Sequence, residues 1–561
     1  MLLALPGVAR AQTPPPLPGI IQRVLPPQPP ELGPPLLPPE TGPITGPGAG
    51  RLILPARVTI AGNTALAEAA LRVRFAALEN RQVTLAEVEQ ARLAILGAYR
   101  EAGFPYVAVR ATLAALAEGG IELRFLVIEG VIAEITLEGD IGPAERQARR
   151  FLDPLLGQRP LPAAALERAL LLAGDIAGVT ARGVLRPIPE EPGALQLVVQ
   201  LARQPFDGFF NLDNRGYDLT GAWQGLLVAH LNAFTGLGER TEIAAFETDG
   251  HGQTFLQVTE EFFLGGSGLR LRAYAGGGRA APGSALAAIG YAGETRVGGA
   301  ALLYPVIRSR PLNLNVSGHL DAYESTVEFR SAPGESRSRQ SRDGVRALRL
   351  GADGAFQDAW LGFAPAAAAS TGLVRFSQGL SWLGASDGDS GLTARLGSDF
   401  GFSKVVGEAS RLQPLFSPAE GWLVSLFGVV AGQWSDDVLP PAEKFYLGGN
   451  RLGRGFYAGQ VTGDRALAGS LELQLSTVLE LPRLRLGTQF YAFRDEGSAW
   501  DNGPFALDRS VGSWGGGVRL QFDERVQLDI EGVRRITRQP DGANTQALSA
   551  DAAYVRLLVR F

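Results

Sequence analysis

The chain has no cysteine, and only two of its 52 basic residues are lysines, Lys404 and Lys444. Without thiols, a disulfide framework, thiolate metal sites and cysteine nucleophiles are all excluded. Histidine is nearly as scarce: His230, His251 and His319 are the full set, and they lack metal-ligand spacing. Acidic and basic residues nearly balance, at 57 and 52. The net charge is −5 and no basic run occurs, which argues against a nucleic-acid partner. No stretch approaches the ~18 apolar residues of a membrane helix. A lipid-exposed backbone must close its hydrogen bonds internally, so this chain either stays out of membranes or crosses one as strands.

The first residues read "MLLALPGVARAQTPPP". Ala9-Arg10-Ala11 fits a small-residue cleavage site behind a short apolar stretch, so residues 1–11 are read as the remnant of a secretory signal that starts upstream. Residues 12–50 form a proline-rich linker, a composition that favours extended polyproline II. At ~3.1 Å per residue, about 35 such residues reach on the order of 100 Å. Only "GIIQRVL", 19–25, is compatible with a helical turn or two.

Residues 51–130 read as one α+β unit. "RVTIAGN" alternates and then turns, which predicts a strand at 56–60. A helix follows over "TALAEAALRVRF". A second starts at a Thr84/Glu87 capping box and carries Val88, Ala91, Ile95, Tyr99 and Ala102 at helical spacing, with Gly103 at its C-terminus. "YVAVRATL" and "IELRFLVIEG" complete a β-α-α-β-β order. Residues 131–204 repeat that order from "VIAEITLEGD" to "ALQLVVQLARQ", a period near 75 residues.

From 205 to 561 helical patterns vanish and short alternating strands recur between Gly, Ser, Asp and Asn turns. Arg270, Arg272 and Tyr274 oppose Leu269, Leu271 and Ala273; Glu472 and Gln474 oppose Leu471, Leu473 and Leu475; Gln527, Asp529 and Glu531 oppose Val526, Leu528 and Ile530. A soluble sandwich buries the aliphatic face, whereas a membrane barrel turns it to lipid and the charged face to a wet lumen. The length decides for an antiparallel transmembrane β-barrel, of about 16 strands at ~20–24 residues per strand and connection. The last strand, running to Phe561, also suits a barrel.

Three patterns invite chemistry. "LGGNRLGRGFYAG", 447–459, contains Gly448-x4-Gly453-Arg454, but it lacks the Lys-Ser/Thr ending and the helix of a phosphate loop. "GASDG", 384–388, and "GDSG", 388–391, suggest serine hydrolases, but they lie in a loop between strands, without a helix or a positioned histidine. No catalytic residue, cofactor site or metal site is assigned, and the chain is read as no enzyme. In "LRLGTQFYAFRDEGSAW", alternation sets Phe493, Asp495 and Gly497 on the lumenal side, against Leu484, Leu486, Phe490 and Ala492. A carboxylate there needs water or a cation. Arg454 supplies the cation if its glycine-rich loop folds inward; otherwise the two are unconnected polar residues in a wet lumen.

With these residues in view, the chain from about 52 to 561 resembles the two-partner secretion transporters of TpsB type, the haemolysin secretion/activation family of outer-membrane exporters. The two β-α-α-β-β units, 51–130 and 131–204, resemble the family's periplasmic POTRA domains, and "LDNRGYDLTG", 212–221, resembles the start of its barrel. "YLGGNRLGRGFYAGQVTGDRALAGSLEL", 446–473, resembles its inward-folded sixth extracellular loop, whose core usually reads V-R-G-[YF]; "FRDEG", 493–497, matches the F-x-D-x-G strand that receives the loop arginine. The resemblance implies a gating loop of Arg454, Gly455 and Phe456 received by Phe493, Asp495 and Gly497. Gly453 stands where valine is usual, which implies a lost hydrophobic contact at the loop tip with the role of Arg454 intact. It further implies a monomer in outer-membrane lipid with its POTRA domains in the periplasm. The implied partner is an unfolded exoprotein of TpsA type, haemolysin or filamentous haemagglutinin/adhesin-like. An N-terminal plug helix, present in some members, has only 19–25 as its candidate. The alternative is a POTRA-barrel assembly factor that inserts other outer-membrane proteins.

Overall fold

The computed structural model describes residues 50–561 apart from 118, 331–334, 364–366, 389–390, 483, 504–506, 524, 541 and 543–545. The signal remnant, the proline-rich linker up to residue 49 and the candidate plug helix at 19–25 lie outside the described residues.

The first unit runs β1 (Leu52–Ile53), β2 (Pro55–Ala61), a short helix Glu68–Arg72, β3 (Val83–Thr84), a helix Leu85–Glu101, β4 (Val107–Ala115) and β5 (Ile121–Glu129). Its three-stranded sheet has the order β2-β5-β4, with β2 parallel to β5. The long helix begins where the sequence predicts, with Thr84 and Glu87 capping each other reciprocally, and Gly103 ends it at φ 87°. Val88, Ala91, Ile95 and Tyr99 are buried, whereas Ala102 is exposed. The preceding helix is shorter than predicted. The N–H groups of Thr64 and Ala65 donate to the buried Glu129 carboxylate (2.8 and 3.0 Å), which holds that stretch out of the helix.

The second unit repeats the plan with β6 (Val131–Glu138), helices Glu145–Leu152 and Ala163–Gly174, β7 (Val179–Pro187) and β8 (Ala194–Arg203), in the order β6-β8-β7. The repeat extends to single residues. Gly62 (φ 84°) and Gly139 (φ 101°) follow the first sheet strand of each unit, and a Cβ at either would sit 2.1 Å from a carbonyl of the central strand. Only glycine fits there. Gly130 alone separates the two units.

Sixteen strands then close an antiparallel barrel. They begin with β9 (Phe206–Asp213), β10 (Gln224–Asn232), β11 (Arg240–Thr248), β12 (Gln253–Phe263), β13 (Arg270–Ala280) and β14 (Ala292–Arg308). Next come β15 (Leu312–Phe329), β16 (Ser338–Asp358), β17 (Ala368–Gly379), β18 (Ser403–Phe416) and β19 (Trp422–Trp434). Two short strands, β20 (Phe445–Leu447) and β21 (Val461–Gly463), pair within the following loop and stay outside the barrel wall. The wall resumes with β22 (Arg465–Leu481), β23 (Leu484–Trp500), β24 (Asp508–Phe522), β25 (Val526–Arg535) and β26 (Asp551–Arg560), which returns to β9. Among the described residues no helix is long and apolar enough to cross a membrane; the crossing is made by strands. The alternation sorts the faces as expected: Leu471 and Leu473 are exposed to the outside while Glu472 is buried within. Exposed Trp434, Trp500 and Trp514 lie toward one rim and Phe206, Trp360 and Phe416 toward the other, the two aromatic levels of a membrane barrel.

The second unit is docked on the barrel. Phe263, at the end of β12, is 3% exposed inside that unit's core and meets Phe151 edge-on at 5.1 Å. Arg308 of β14 forms a bidentate pair with Asp175 (2.6 and 2.9 Å). This rim of the barrel therefore carries the N-terminal units, and the loop between β19 and β22 opens from the opposite rim.

Candidate functional site: an arginine loop inside the barrel

The loop from 435 to 464 bends back into the lumen, and its glycines make the bend possible. Gly448 and Gly453 have φ of 107° and 82°, a region that costs a branched side chain dearly. At Gly448 a Cβ would lie 2.0 Å from the Tyr457 carbonyl oxygen. Gly453 thus does more than forgo a hydrophobic contact: a valine in this backbone conformation is strained.

Arg454 and Asp495 meet. The Arg454 Nε and Nη2 donate to the Asp495 carboxylate at 3.1 and 2.9 Å, and the Arg454 backbone N–H donates to the same carboxylate at 2.7 Å. The guanidinium also donates to Glu472 through Nη1 and to Ser470 Oγ at 2.8 Å, and it lies 3.5 Å above the Phe493 ring. Arg454 is 5% and Asp495 0% exposed, so the pair belongs to the buried regime, not to a wet lumen.

Gly455 and Phe456 seat the rest of the tip. A Cβ on Gly455 would lie 2.9 Å from Ser513 Cβ. Its carbonyl accepts hydrogen bonds from Arg535 and from the Tyr554 hydroxyl (3.1 Å). Phe456 is fully buried among Leu447, Leu452, Val461, Ala468, Ala499 and Val511. Gly497 lies beneath this cluster, where a Cβ would approach Ala468 Cβ to 2.9 Å and Leu447 to 3.1 Å.

Several residues of this site escape sequence reasoning. Arg215, just after β9, donates to the Arg454 carbonyl at 2.6 Å and to Glu531 at 2.5 Å, with its guanidinium 3.9 Å from the Tyr554 ring. Arg519 holds Glu472 at 2.6 and 3.0 Å. Alternation places Glu472 and Glu531 on the polar, lumenal face, and a carboxylate on that face is the available signal. Ser386, in the hydrolase-like "GASDG", is a structural tie: its Oγ accepts from the Gly344 N–H at 2.7 Å. Among the described residues no cluster of three or more His, Asp or Glu is arranged to hold a metal.

Comparison with known proteins adds to this geometry. Residues 360–520 match the family model of the haemolysin secretion/activation protein ShlB/FhaC/HecB, and residues 54–130 match that of the POTRA domain, ShlB-type. No curated protein sequence matches the chain. In fold, it is similar to CdiB from Escherichia coli, with 18% identity, a TM-score of 0.72 and 94% of each chain covered. It is also similar to CdiB from Acinetobacter baumannii, with 16% identity, a TM-score of 0.62 and coverage of 97% of this chain and 96% of that one. BamA from Haemophilus ducreyi lacking POTRA domains 1–3 aligns at 14% identity and a TM-score of 0.50, over 91% of this chain and all (100%) of that one. The barrel lies in the outer membrane with its POTRA region in the periplasm. With a ShlB-type POTRA match at 54–130 followed by a ShlB/FhaC/HecB match at 360–520, the chain is similar over these two segments to the haemolysin secretion/activation proteins of two-partner secretion.

Proposed function

We propose that this transporter exports an unfolded exoprotein of haemolysin or haemagglutinin/adhesin type, and that the loop carrying Arg454 gates it. The observation that carries the reading is the buried arginine tip inside a closed ring. With Arg454 seated on Asp495 and Glu472, and Phe456 in its apolar socket, the loop occupies the lumen that a polypeptide must traverse. A buried charge pair that must be uncovered before passage is a switch rather than a filler.

The second unit acts as a second POTRA domain, because it repeats the sheet order and the glycine placement of the first. Among the described residues, the outer edges of β4 and β7 pair with no strand. Each offers free backbone groups to an extended segment, a sequence-tolerant mode that suits an unfolded client. The outer membrane offers no nucleotide, so folding of the exported chain outside supplies direction. The transporter works as a monomer in outer-membrane lipid.

The test compares export of a candidate partner exoprotein by wild type and by Arg454→Ala, with barrel folding followed by heat-modifiable gel mobility. Export lost in a folded barrel supports the gate. If wild type exports nothing and loss of the gene depletes outer-membrane barrel proteins, the export reading falls and an assembly factor replaces it.

A further inference from the structure

The wall opposite the Arg454 socket carries an unusual row of cations. Pairing across β13 to β18 puts Arg272, His319, Arg349 and Lys404 in one register row on the lumen face, with Ala301 and Ser377 between them. Arg375 stands one step nearer the periplasm, opposite Gly351. The wall's own acids cover part of this charge. Glu261 pairs with Arg270 and Arg272 (2.7 and 2.5 Å), and Asp321 takes one edge of Arg349 (2.7 Å).

What remains is met by the loop. Glu443, in the loop's descending root, accepts from Arg349 at 2.6 and 3.0 Å and pairs with Lys404 at 2.8 Å, at 4% exposure. Its backbone carbonyl accepts from Lys404 Nζ (2.6 Å) and Gln433 (3.1 Å). Arg375 is not satisfied by the loop. It enters no ion pair among the described residues, and its Nε is buried without a hydrogen-bond partner, as is His319 Nε2. One carboxylate therefore sits on a site with cationic capacity to spare.

We infer that Arg349, Lys404 and Arg375 form a carboxylate-binding site on the lumen wall, occupied at rest by Glu443 and, once the loop moves, by aspartate or glutamate side chains of the passing polypeptide. The inference rests on the export reading and names a chemical preference of the exported chain. Its physical basis is exchange. If the loop simply left, Arg349 and Lys404 would lose their shared carboxylate and be left without their counter-charge. An incoming carboxylate keeps the number of pairs constant and lowers the barrier to opening.

The test records conductance of the full chain in planar lipid bilayers, with hexaglutamate or hexalysine added on the periplasmic side. Glu443→Gln is expected to open more often and to be blocked by hexaglutamate at about tenfold lower concentration than wild type, the equivalent of one charge-assisted contact. Adding Arg375→Gln is expected to reverse that gain. Equal block of Glu443→Gln and of the double variant by hexaglutamate, or a hexalysine block that Arg375→Gln weakens just as much, overturns the site. Should Glu443→Gln fail to give the heat-modifiable folded form, Arg375→Gln alone decides, because it breaks no ion pair at rest. Its spontaneous openings must be blocked less than those of wild type, and equal block overturns the site. The readout needs no exoprotein, so a failure of export is scored separately.

Discussion

Replacing Arg454 by alanine takes one partner from two carboxylates of 0% and 2% exposure, Asp495 and Glu472. Breaking a buried pair on one side costs about 3–5 kcal/mol. Here both acids keep partners. Asp495 retains the backbone N–H of residue 454 at 2.7 Å, and Glu472 retains Arg519 at 2.6 and 3.0 Å. The loss therefore falls at the low end, about 3 kcal/mol, which shifts the balance between seated and withdrawn loop about 100-fold. Absence of cysteine makes this measurable by one introduced thiol. Val511 is 3% exposed beneath the loop tip, packed with Leu452 and Phe456, and it faces the lumen once the loop leaves. In a Val511→Cys background, Arg454→Ala is expected to raise the labelling rate by a membrane-impermeant thiol reagent about 100-fold, since the rate follows the open population. A folded Arg454→Ala barrel that labels no faster than its parent refutes the assignment of Arg454 as the holding contact.

Two further outcomes follow from particular contacts. Gly455→Ala places a methyl group 2.9 Å from Ser513 Cβ and 3.2 Å from Val533 Cγ1, an overpacking that costs about 1–3 kcal/mol. The same thiol at 511 is expected to label faster in this variant, and Ser513→Gly in the same chain to reverse the effect; labelling unaltered by either change counts against the close fit. In the first POTRA domain, burial raises the pKa of Glu129, but hydrogen bonds from Thr64, Ala65 and Tyr99 outweigh it and hold the carboxyl below its ordinary value. A depressed carboxyl contributes stability that is complete above its unfolded pKa, about 4.3, and is lost as pH falls through the folded value. Amide hydrogen exchange over residues 62–72 of the full chain is expected to lose protection on acidification, and Glu129→Gln to start lower and stay flat; parallel pH curves for the two proteins contradict this.

Much of the architecture is legible in the residues because it rests on local periodicity. The Thr84/Glu87 box, Gly103 and the alternation of β22 to β26 each act over a few positions, and the structure places them as read. The repeat of the two periplasmic units is legible for the same reason. What escapes is set by closure. Alternation assigns Glu472 and Glu531 to the lumen but says nothing of their height or of what stands across from them. Arg215 joins them only because β26 returns to β9 and leaves the end of β9 one strand away from β25, within reach of Glu531. Phe263 escapes for a related reason. It ends a barrel strand, yet its ring belongs to the core of the second periplasmic unit, a partnership made by docking and invisible to any local pattern.

The same closure gives the loop its electrical character. On the Arg454 side, Asp495, Glu472 and Glu531 face Arg215 and Arg519, so the socket is short of one cation until Arg454 arrives. On the far side, Arg349 and Lys404 are short of one anion until Glu443 arrives. The loop thus presents a cation to an acidic wall and an anion to a basic wall, and each end is held by the charge the wall lacks. Salt cannot loosen such contacts as it does exposed pairs, because both ends are buried. Withdrawal leaves two walls of opposite sign facing each other across an open lumen. That favours an entering chain carrying both signs of charge, since each wall then regains the partner that the loop removed.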